Sequence, residues 1–172
     1  MKRLDTYNYD IDQLQWEWFS LRDKLLDNMW HKSQGNLIWQ SCLQYAPNMI
    51  IYNKDKFTDG AGSFHGTDKK EKDYSHLNPF YEGTIFETII NDFNGFRARF
   101  MMMEKHSTYS IHRDTTPRYH LAIETNPDAY FLFPRTSTLE HIPADGYVYE
   151  VDTTQDHTFV NCGPDRTHLV MV

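Results

Sequence analysis

Cysteine and long apolar runs are scarce in this chain, and each scarcity excludes a class of protein. The 172 residues hold two cysteines, Cys42 and Cys162, too few for a disulfide framework and too far apart for a CxxC metal site. No apolar run approaches the roughly 20 residues that a membrane span needs, and the opening MKRLDTYNYD lacks the apolar stretch of a signal peptide. We therefore expect a cytoplasmic protein with no membrane partner.

Basic residues are in the minority as well. Lysine and arginine number 17 against 24 acidic residues, a formal net charge of −7, and no basic cluster stands out. Because a protein that binds the phosphate backbone needs such a cluster, we expect no nucleic-acid partner. Hydrophobic residues make up 40% of the chain and no internal repeat is present, so the composition suits a single domain over residues 1–172.

The first 94 residues predict a helical support region. Residues 10–29 form an amphipathic pattern, with apolar side chains at spacings of three and four, and residues 79–93 form a second one that begins at a proline. Residues 36–43 are typical of a strand. Residues 53–76 are rich in glycine, lysine and aspartate, which predicts a surface loop insertion.

From residue 95 onward the pattern changes to that of β-strands. Short aromatic and β-branched segments alternate with turn residues. The predicted strands are residues 96–103, 107–112, 118–124, 130–134, 147–151, 158–161 and 167–172. No helices separate them, which excludes βαβ units and predicts a sandwich or barrel with helices on one side.

The segment Tyr109–His120, YSIHRDTTPRYH, is the most informative for chemistry. His112 and Asp114 are two residues apart, and on a strand such positions share a face. His157, on a later strand, can supply a second imidazole. Two histidines and one carboxylate on one face leave open positions on Fe(II). The alternative for His112 and Asp114 is a surface pair beside a turn.

Arg166 follows His157 near the start of the last predicted strand. A hairpin between residues 158 and 167 would bring Arg166 alongside the strand that carries His157. A guanidinium there can form a bidentate pair with a carboxylate, so a ligand that spans the metal and Arg166 should be a short dicarboxylate. 2-Oxoglutarate fits this description. The alternative is an exposed ion pair between Arg166 and Asp165.

The motifs follow one another in the order HxD, RxH, distal His, Asn and Arg-x-His. From about residue 79 to residue 172 the chain resembles the aspartyl/asparaginyl β-hydroxylase family of Fe(II)/2-oxoglutarate-dependent oxygenases, through NPFYEGTIFETIINDFNGFRARFMMMEKHSTYSIHRD, RYHLAIET and DHTFVNCGPDRTHLV. The resemblance implies a mainly β fold, with a double-stranded β-helix (jelly-roll, cupin-like) core over residues 95–172 and supporting N-terminal α-helices. Since a carboxylate ligand is retained, the chain looks more like the small bacterial and phage-type members, which include free-proline hydroxylases.

The resemblance also implies the centre of the site. His112, Asp114 and His157 match the family's iron ligands, and so its catalytic centre. Arg166 matches the arginine that pairs with the far carboxylate of 2-oxoglutarate.

The remaining motif residues imply supporting roles. Arg118 and His120 match the RxH element that lies close to the cosubstrate. Contact with the substrate is an equal alternative for them, and direct contact with neither is a further one. Asn161 and His168 fit further family positions, where hydrogen bonds that orient the ligands and purely structural roles are both open.

The implied activity is hydroxylation of an amino acid, free or within a peptide or protein, with Fe(II), 2-oxoglutarate and O₂. A non-catalytic jelly-roll module that binds a metal or ligand is an alternative, and so is a hydroxylase of another small molecule. A zinc hydrolase is a further alternative, but it needs a general base beside the metal and has no use for Arg166. Substrate identity and oligomeric state stay open.

Other conspicuous residues are interpreted as ordinary. Arg97 and Arg99 are expected to be exposed residues of an early strand, with one of them facing the pocket as the alternative. Met101–Met103 is expected to fill the core. His65 is expected to be a solvated loop histidine. The histidines without a spacing partner are His31, His76, His106 and His141.

Overall fold

The computed structural model describes residues 1–25, 29–33, 37–47, 55–64 and 67–172. These residues include helices α1 (Ile11–Arg22), α2 (Asp55–Thr58) and α3 (Ile85–Phe93), and 3₁₀ turns at Glu71–Asp73 and Pro79–Tyr81. The strands are β1 (Lys2–Asn8), β2 (His31–Ser33), β3 (Ile38–Cys42), β4 (Gln44–Tyr45), β5 (His76–Leu77), β6 (Arg99–Met103), β7 (Ser107–Thr108), β8 (Arg118–Glu124), β9 (Ala129–Phe133), β10 (Thr138–Glu140), β11 (Tyr147–Val151), β12 (Thr158–Asn161) and β13 (Arg166–Met171). None of the described helices has the length and apolar character needed to span a membrane.

Two antiparallel sheets form the core of the fold. The large sheet has seven strands in the order β1-β11-β8-β13-β6-β3-β2, and the small sheet has four in the order β10-β9-β12-β7. Within strands β6 to β13, the large sheet takes β6, β8, β11 and β13, and the small sheet takes β7, β9, β10 and β12. This exchange of successive strands between two sheets is a double-stranded β-helix, so the predicted jelly-roll fold is confirmed.

Alternate residues of the large sheet face two different apolar clusters. Leu121 packs with the helices on the outer side, in a cluster that includes Leu14 and Trp18 of α1. Ala122, the next residue, packs with the small sheet, in a cluster that includes Phe131 and other inward side chains. The helices therefore cover one face of the large sheet, and the space between the two sheets is the interior of the jelly-roll.

The first helix is shorter than its sequence pattern predicts. Asp10 caps it, because its carboxylate accepts hydrogen bonds from the backbone N–H groups of Asp12 and Gln13 at 2.9 and 3.2 Å. The helix ends at Arg22, although the apolar pattern continues to Leu25, which is buried without being helical. Residues 26–28 of the predicted helix lie outside the described residues.

The second predicted helix is divided into two elements. A 3₁₀ turn covers Pro79–Tyr81, and α3 begins at Ile85 with Thr84 as its cap. Gly83 separates the two with a φ of +75°, a left-handed conformation that suits glycine. The proline therefore begins a short turn instead of the helix itself.

Several strands differ from the sequence prediction. β1, β2, β4, β5 and β10 were not predicted, and the predicted strand over residues 107–112 ends at Thr108. The predicted hairpin between residues 158 and 167 is wrong, because β12 belongs to the small sheet and β13 to the large one. Residue 36 of the predicted strand 36–43, and residues 53, 54, 65 and 66 of the predicted loop 53–76, lie outside the described residues, so the prediction for His65 falls there.

Candidate metal centre

A cavity of about 960 Å³ lies between the sheets, and both sheets contribute to its lining. Arg99 and Arg166 line it from the large sheet, and Phe131 lines it from the small sheet. Glu71, from the segment before α3, closes another side. The cavity therefore collects side chains that are far apart in the sequence.

Backbone hydrogen bonds bring His112 and His157 together at the cavity. The N–H of each residue donates to the C=O of the other at 3.0 Å, an isolated antiparallel bridge outside the named strands. The two imidazole rings lie with their centroids 4.4 Å apart. His157 is buried and His112 is exposed, so one ring lies inside the cavity and the other at its edge.

A carbonyl oxygen fixes the orientation of each imidazole. Nδ1 of His112 lies 2.9 Å from the C=O of Ser110, and Nδ1 of His157 lies 3.0 Å from the C=O of Gln155. A carbonyl can only accept, so Nδ1 carries the proton and the lone pair of Nε2 is left for a metal. Burial lowers the pKa of His157, which favours the neutral, metal-binding form.

Asp114 completes a cluster of three possible ligands. One ligand atom each from His112, Asp114 and His157 lies within 4.8 Å of the others. The backbone N–H of Asp114 donates to the C=O of Thr153 at 2.8 Å, which holds the aspartate against the loop between β11 and β12 that carries His157. The predicted reason for the pairing of His112 and Asp114 is wrong, because neither lies on a named strand. The donor set of two imidazoles and one carboxylate suits a divalent transition metal with open positions.

Arg166 is a buried cation without a carboxylate partner among the described residues. It is 1% exposed, and its guanidinium donates to the C=O of Met101 at 3.4 Å and to Sδ of Met103 at 3.1 Å. Its Nε has no hydrogen-bond partner in the part of the chain that the structure describes, and the guanidinium lies 3.9 Å above the ring of Phe159. Burial lowers the pKa of Arg166 to about 10. The alternative pairing with Asp165 is not formed, since that carboxylate accepts from the backbone N–H of Lys105.

Arg118 forms ion pairs with two carboxylates of the protein. Its Nη2 lies 2.6 Å from Glu71 Oε1, and its Nε lies 3.2 Å from Asp114 Oδ2. Glu71 also forms an ion pair of 2.7 Å with Arg97 and accepts a hydrogen bond from Thr116. Burial alone would raise the pKa of Glu71, but Arg118, Thr116 and Arg97 together lower it. Arg118 therefore supports the aspartate of the cluster. It also lines the cavity, and its predicted contact with a cosubstrate or substrate stays a prediction.

His120 lines the cavity, and His168 packs beside it. Their Nδ1 atoms lie 3.4 Å apart, and both rings are buried. Burial, reinforced by the charge of Arg166, lowers the pKa of each imidazole well below 6.5. Both histidines are therefore neutral at pH 7.

Asn161 has a structural role in the observed fold. Its Nδ2 donates to the C=O of Glu104 at 3.1 Å and of Pro164 at 2.8 Å, and its Oδ1 accepts from Asn126 at 2.9 Å. These bonds fasten the turn between β12 and β13. Within the described part of the chain, its hydrogen bonds do not reach the three possible ligands.

The prediction that Arg97 and Arg99 are exposed is wrong, because each is 5% exposed and lines the cavity. Arg97 donates to the C=O groups of Gly60 and Gly62 besides its ion pair with Glu71. Arg99 donates from Nε to Gln40 at 3.1 Å and has no carboxylate partner within the described ranges. Burial and the neighbouring arginines lower its pKa to about 9.

The alternation of side chains along β6 could have predicted that Arg99 faces the cavity. Phe100 packs against the helices, so Arg99 and Met101 must face the interior of the jelly-roll. A charged residue between Ala98 and Phe100, on a strand covered on both faces, indicates a ligand-facing position.

The predicted surface loop is anchored over the cavity in its described part. Tyr74 is 1% exposed, and Phe64 stacks on it with ring centroids 5.1 Å apart. The guanidinium of Arg97 lies 4.0 Å from the ring of Phe64. Glu71 follows within the same segment, so the description of residues 53–76 as a surface excursion is wrong for these side chains.

Comparison with known proteins gives similarity at the level of the fold. No protein-family model matches the chain, and no curated protein sequence matches it significantly. A cupin domain from Bordetella pertussis Tohama I is similar over 44% of this chain and 77% of its own, with 13% identity and a TM-score of 0.38. An oxidoreductase of the 2OG-Fe(II) oxygenase family from Burkholderia pseudomallei is similar over 95% of this chain and 89% of its own, with 12% identity and a TM-score of 0.43. The jelly-roll assignment therefore rests on the strand topology of the chain itself.

Proposed function

We propose that the protein is an Fe(II)- and 2-oxoglutarate-dependent oxygenase that hydroxylates an amino acid, free or within a peptide or protein. One observation carries the proposal: the cluster of His112, Asp114 and His157 shares a cavity with Arg166, a buried cation that has no carboxylate partner among the described residues. The first feature suits a metal with open positions, and the second suits an anionic ligand beside it.

The three side chains of the cluster fit the metal. Both imidazoles have Nδ1 bound to a carbonyl and Nε2 available, and Asp114 has Oδ2 beside Arg118 and Oδ1 available. Bound Fe(II) supplies the redox chemistry that couples decarboxylation of 2-oxoglutarate to hydroxylation of a substrate C–H bond. His112, Asp114 and His157 would hold the metal, and its remaining positions would be open to ligands.

Arg166 holds the far carboxylate of 2-oxoglutarate. A guanidinium buried without a carboxylate loses hydration and gains no ion pair, which is costly until an anion arrives. His120 and His168 are neutral beside it and add no positive charge. Phe131 and Met101 contribute apolar walls to the same cavity, which strengthens a charge-assisted hydrogen bond by excluding water.

The position and charge of Arg99 favour an amino acid as the substrate. It is a second buried cation of the cavity, which donates to Gln40 and to the C=O of Arg97 and has no carboxylate partner in the described part of the chain. When Arg166 holds the cosubstrate, Arg99 is left for the carboxylate of a substrate. The order HxD, RxH, distal His, Asn and Arg-x-His supports the narrower assignment to the aspartyl/asparaginyl β-hydroxylase family.

The test is a turnover assay with Fe(II), 2-oxoglutarate and O₂ over a panel of free proline, aspartate and asparagine and of peptides that contain them. We expect one member to stimulate succinate formation and to gain one oxygen atom by mass spectrometry. Arg99→Leu should weaken the apparent affinity for that substrate, with little change in the apparent affinity for the cosubstrate. Metal-loaded protein that neither binds nor consumes 2-oxoglutarate contradicts the proposal.

A further inference from the structure

We propose that Glu71 is a positioning residue that acts through Arg118 on Asp114, and so sets the affinity of the cluster for its metal. The inference rests on the proposed function only in taking His112, Asp114 and His157 as the metal ligands. Glu71 belongs to the segment before α3, and its hydrogen bonds and ion pairs within the described residues reach none of these three side chains.

Glu71 is the shared counter-charge of two buried arginines. Its Oε1 lies 2.7 Å from Arg97 Nη1 and 2.6 Å from Arg118 Nη2, and its Oε2 accepts from Thr116 at 2.9 Å and from Arg118 Nη1 at 3.2 Å. The side chains of Arg97, Arg118 and Glu71 are 6%, 5% and 13% exposed. Screening by water is weak at such burial, so these charges act strongly on one another.

Arg118 transmits this charge to the cluster. Its Nε lies 3.2 Å from Asp114 Oδ2, although the N–H does not point along the contact, so the attraction is an ion pair without an aligned hydrogen bond. With Glu71 present, Arg97, Arg118, Glu71 and Asp114 form a group of two cations and two anions. The charges of these four residues then balance, so the carboxylate of Asp114 can bind a metal.

Loss of the Glu71 charge changes that balance. Arg118 would keep Asp114 as its remaining carboxylate partner, and the aspartate would be drawn toward the arginine and away from the metal. The uncompensated charge of Arg118 would also repel a divalent metal ion in the same cavity. Both effects lower metal affinity without removing a ligand.

Glu71 also connects the cluster to the segment over the cavity. Arg97 donates to the C=O groups of Gly60 and Gly62 at 2.6 and 2.5 Å while it pairs with Glu71. The position of this segment and the orientation of Asp114 therefore depend on the same carboxylate.

The experiment is a titration of the metal-free protein with Co²⁺ alone, followed by its visible d–d absorption, for wild type and Glu71→Gln. We expect the substitution to raise the Kd for Co²⁺ by about tenfold or more, the usual effect of removing a group that orients a ligand. In an Arg118→Gln background, Glu71→Gln should cause little further change, because its effect passes through the arginine. Glu71→Asp, which keeps the charge, should retain most of the affinity and serves if Glu71→Gln does not fold.

Asp59→Asn is the matched control. Asp59 pairs with Lys69 in the same segment at 3.1 Å, and its hydrogen bonds and ion pairs within the described residues do not reach Arg118. A merely structural role of Glu71 predicts that both variants lower the thermal midpoint and leave the Kd for Co²⁺ unchanged, which would overturn the inference alone. Additive effects of Glu71→Gln and Arg118→Gln would also overturn it. A wild type that binds no Co²⁺ would overturn the proposed function together with it.

Discussion

His112 and His157 exchange two backbone hydrogen bonds of 3.0 Å, and this bridge brings their imidazoles together in the cavity. The residues next to the two histidines are bonded as well, since Arg113 forms an ion pair with Asp156 at 2.5 Å. The cluster is therefore assembled by a long-range backbone pairing, and the register of that pairing decides which side chains meet.

Removal of either imidazole should abolish metal binding. His112→Ala or His157→Ala leaves two donors, too few to hold a divalent ion against water at micromolar metal. Isothermal titration with Co²⁺ or Fe(II) measures the loss. His76→Ala is the control, since that ring is exposed and contacts Ser75 and Tyr45 away from the cluster. Metal binding that survives in the double variant His112→Ala/His157→Ala would contradict the assignment.

Arg166→Met should make the ligand-free protein more stable and weaken its binding of the cosubstrate. The methionine fills part of the same space without a buried unpaired charge, and we expect unfolding in urea to cost at least about 1 kcal/mol more. The affinity for 2-oxoglutarate should fall by about 1.5–3 kcal/mol, the contribution of a hydrogen bond to a charged group.

Metal affinity should be unchanged in Arg166→Met, which distinguishes the two sites within the cavity. A loss of stability would show that the buried charge is not costly in the ligand-free protein. An unaltered affinity for the cosubstrate would show that the guanidinium does not hold the far carboxylate.

The Asp156 carboxylate should titrate well below a free aspartate. Hydrogen bonds from Arg113 and then Arg135 lower its pKa to about 2. Because the folded pKa lies below the unfolded value of about 3.9, its contribution to stability is complete above about pH 4 and is lost as the pH falls toward 2.

The carboxyl ¹³C shift of Asp156 measures that pKa directly. Asp156→Asn should lower the thermal midpoint at neutral pH, with a difference from wild type that disappears in acid. A midpoint of titration near pH 4 would show that the ion pairs with Arg113 and Arg135 are not maintained in solution.

Alanine substitutions at two glycines should distinguish the cost of backbone strain from the cost of steric overlap. Gly83 and Gly146 have φ values of +75° and +82°. A Cβ at Gly83 would meet no atom of the described residues within 4 Å, while a Cβ at Gly146 would overlap the carbonyl oxygen of Tyr9. Gly83→Ala should cost about 1 kcal/mol from strain. Gly146→Ala should cost at least about 2 kcal/mol more, because it also breaks the bond from the Tyr9 N–H to Gly146. Chemical denaturation compares them, and equal losses would refute the overlap.

Local patterns predicted the parts of the fold that depend on neighbouring residues. The strands 118–124, 147–151 and 158–161 have the observed bounds, because alternation and turn residues act within a few positions. β1 was missed because its residues are mostly exposed, and its pairing with β11 spans most of the chain. The end of α1 at Arg22 likewise depends on packing that periodicity does not reveal.

In the candidate site, too, some features follow from local sequence patterns and others depend on tertiary contacts. The spacing of His112, Asp114, His157 and Arg166 was readable, although the strand and hairpin geometry behind it was not. Glu71 lies in a run of glycine, lysine and aspartate, where a carboxylate is normally solvated. Its pairing with two arginines depends on tertiary contacts, and the net charge of −7 gives no sign of a cationic cavity.

The most direct measurement is an anaerobic titration of the Fe(II)-loaded protein with 2-oxoglutarate, followed by visible absorption. We predict a weak metal-to-ligand charge-transfer band that saturates at one equivalent and requires far more 2-oxoglutarate in Arg166→Met. A protein that binds Fe(II) and shows no such band contradicts the central claim that the metal cluster and Arg166 together form one cosubstrate site.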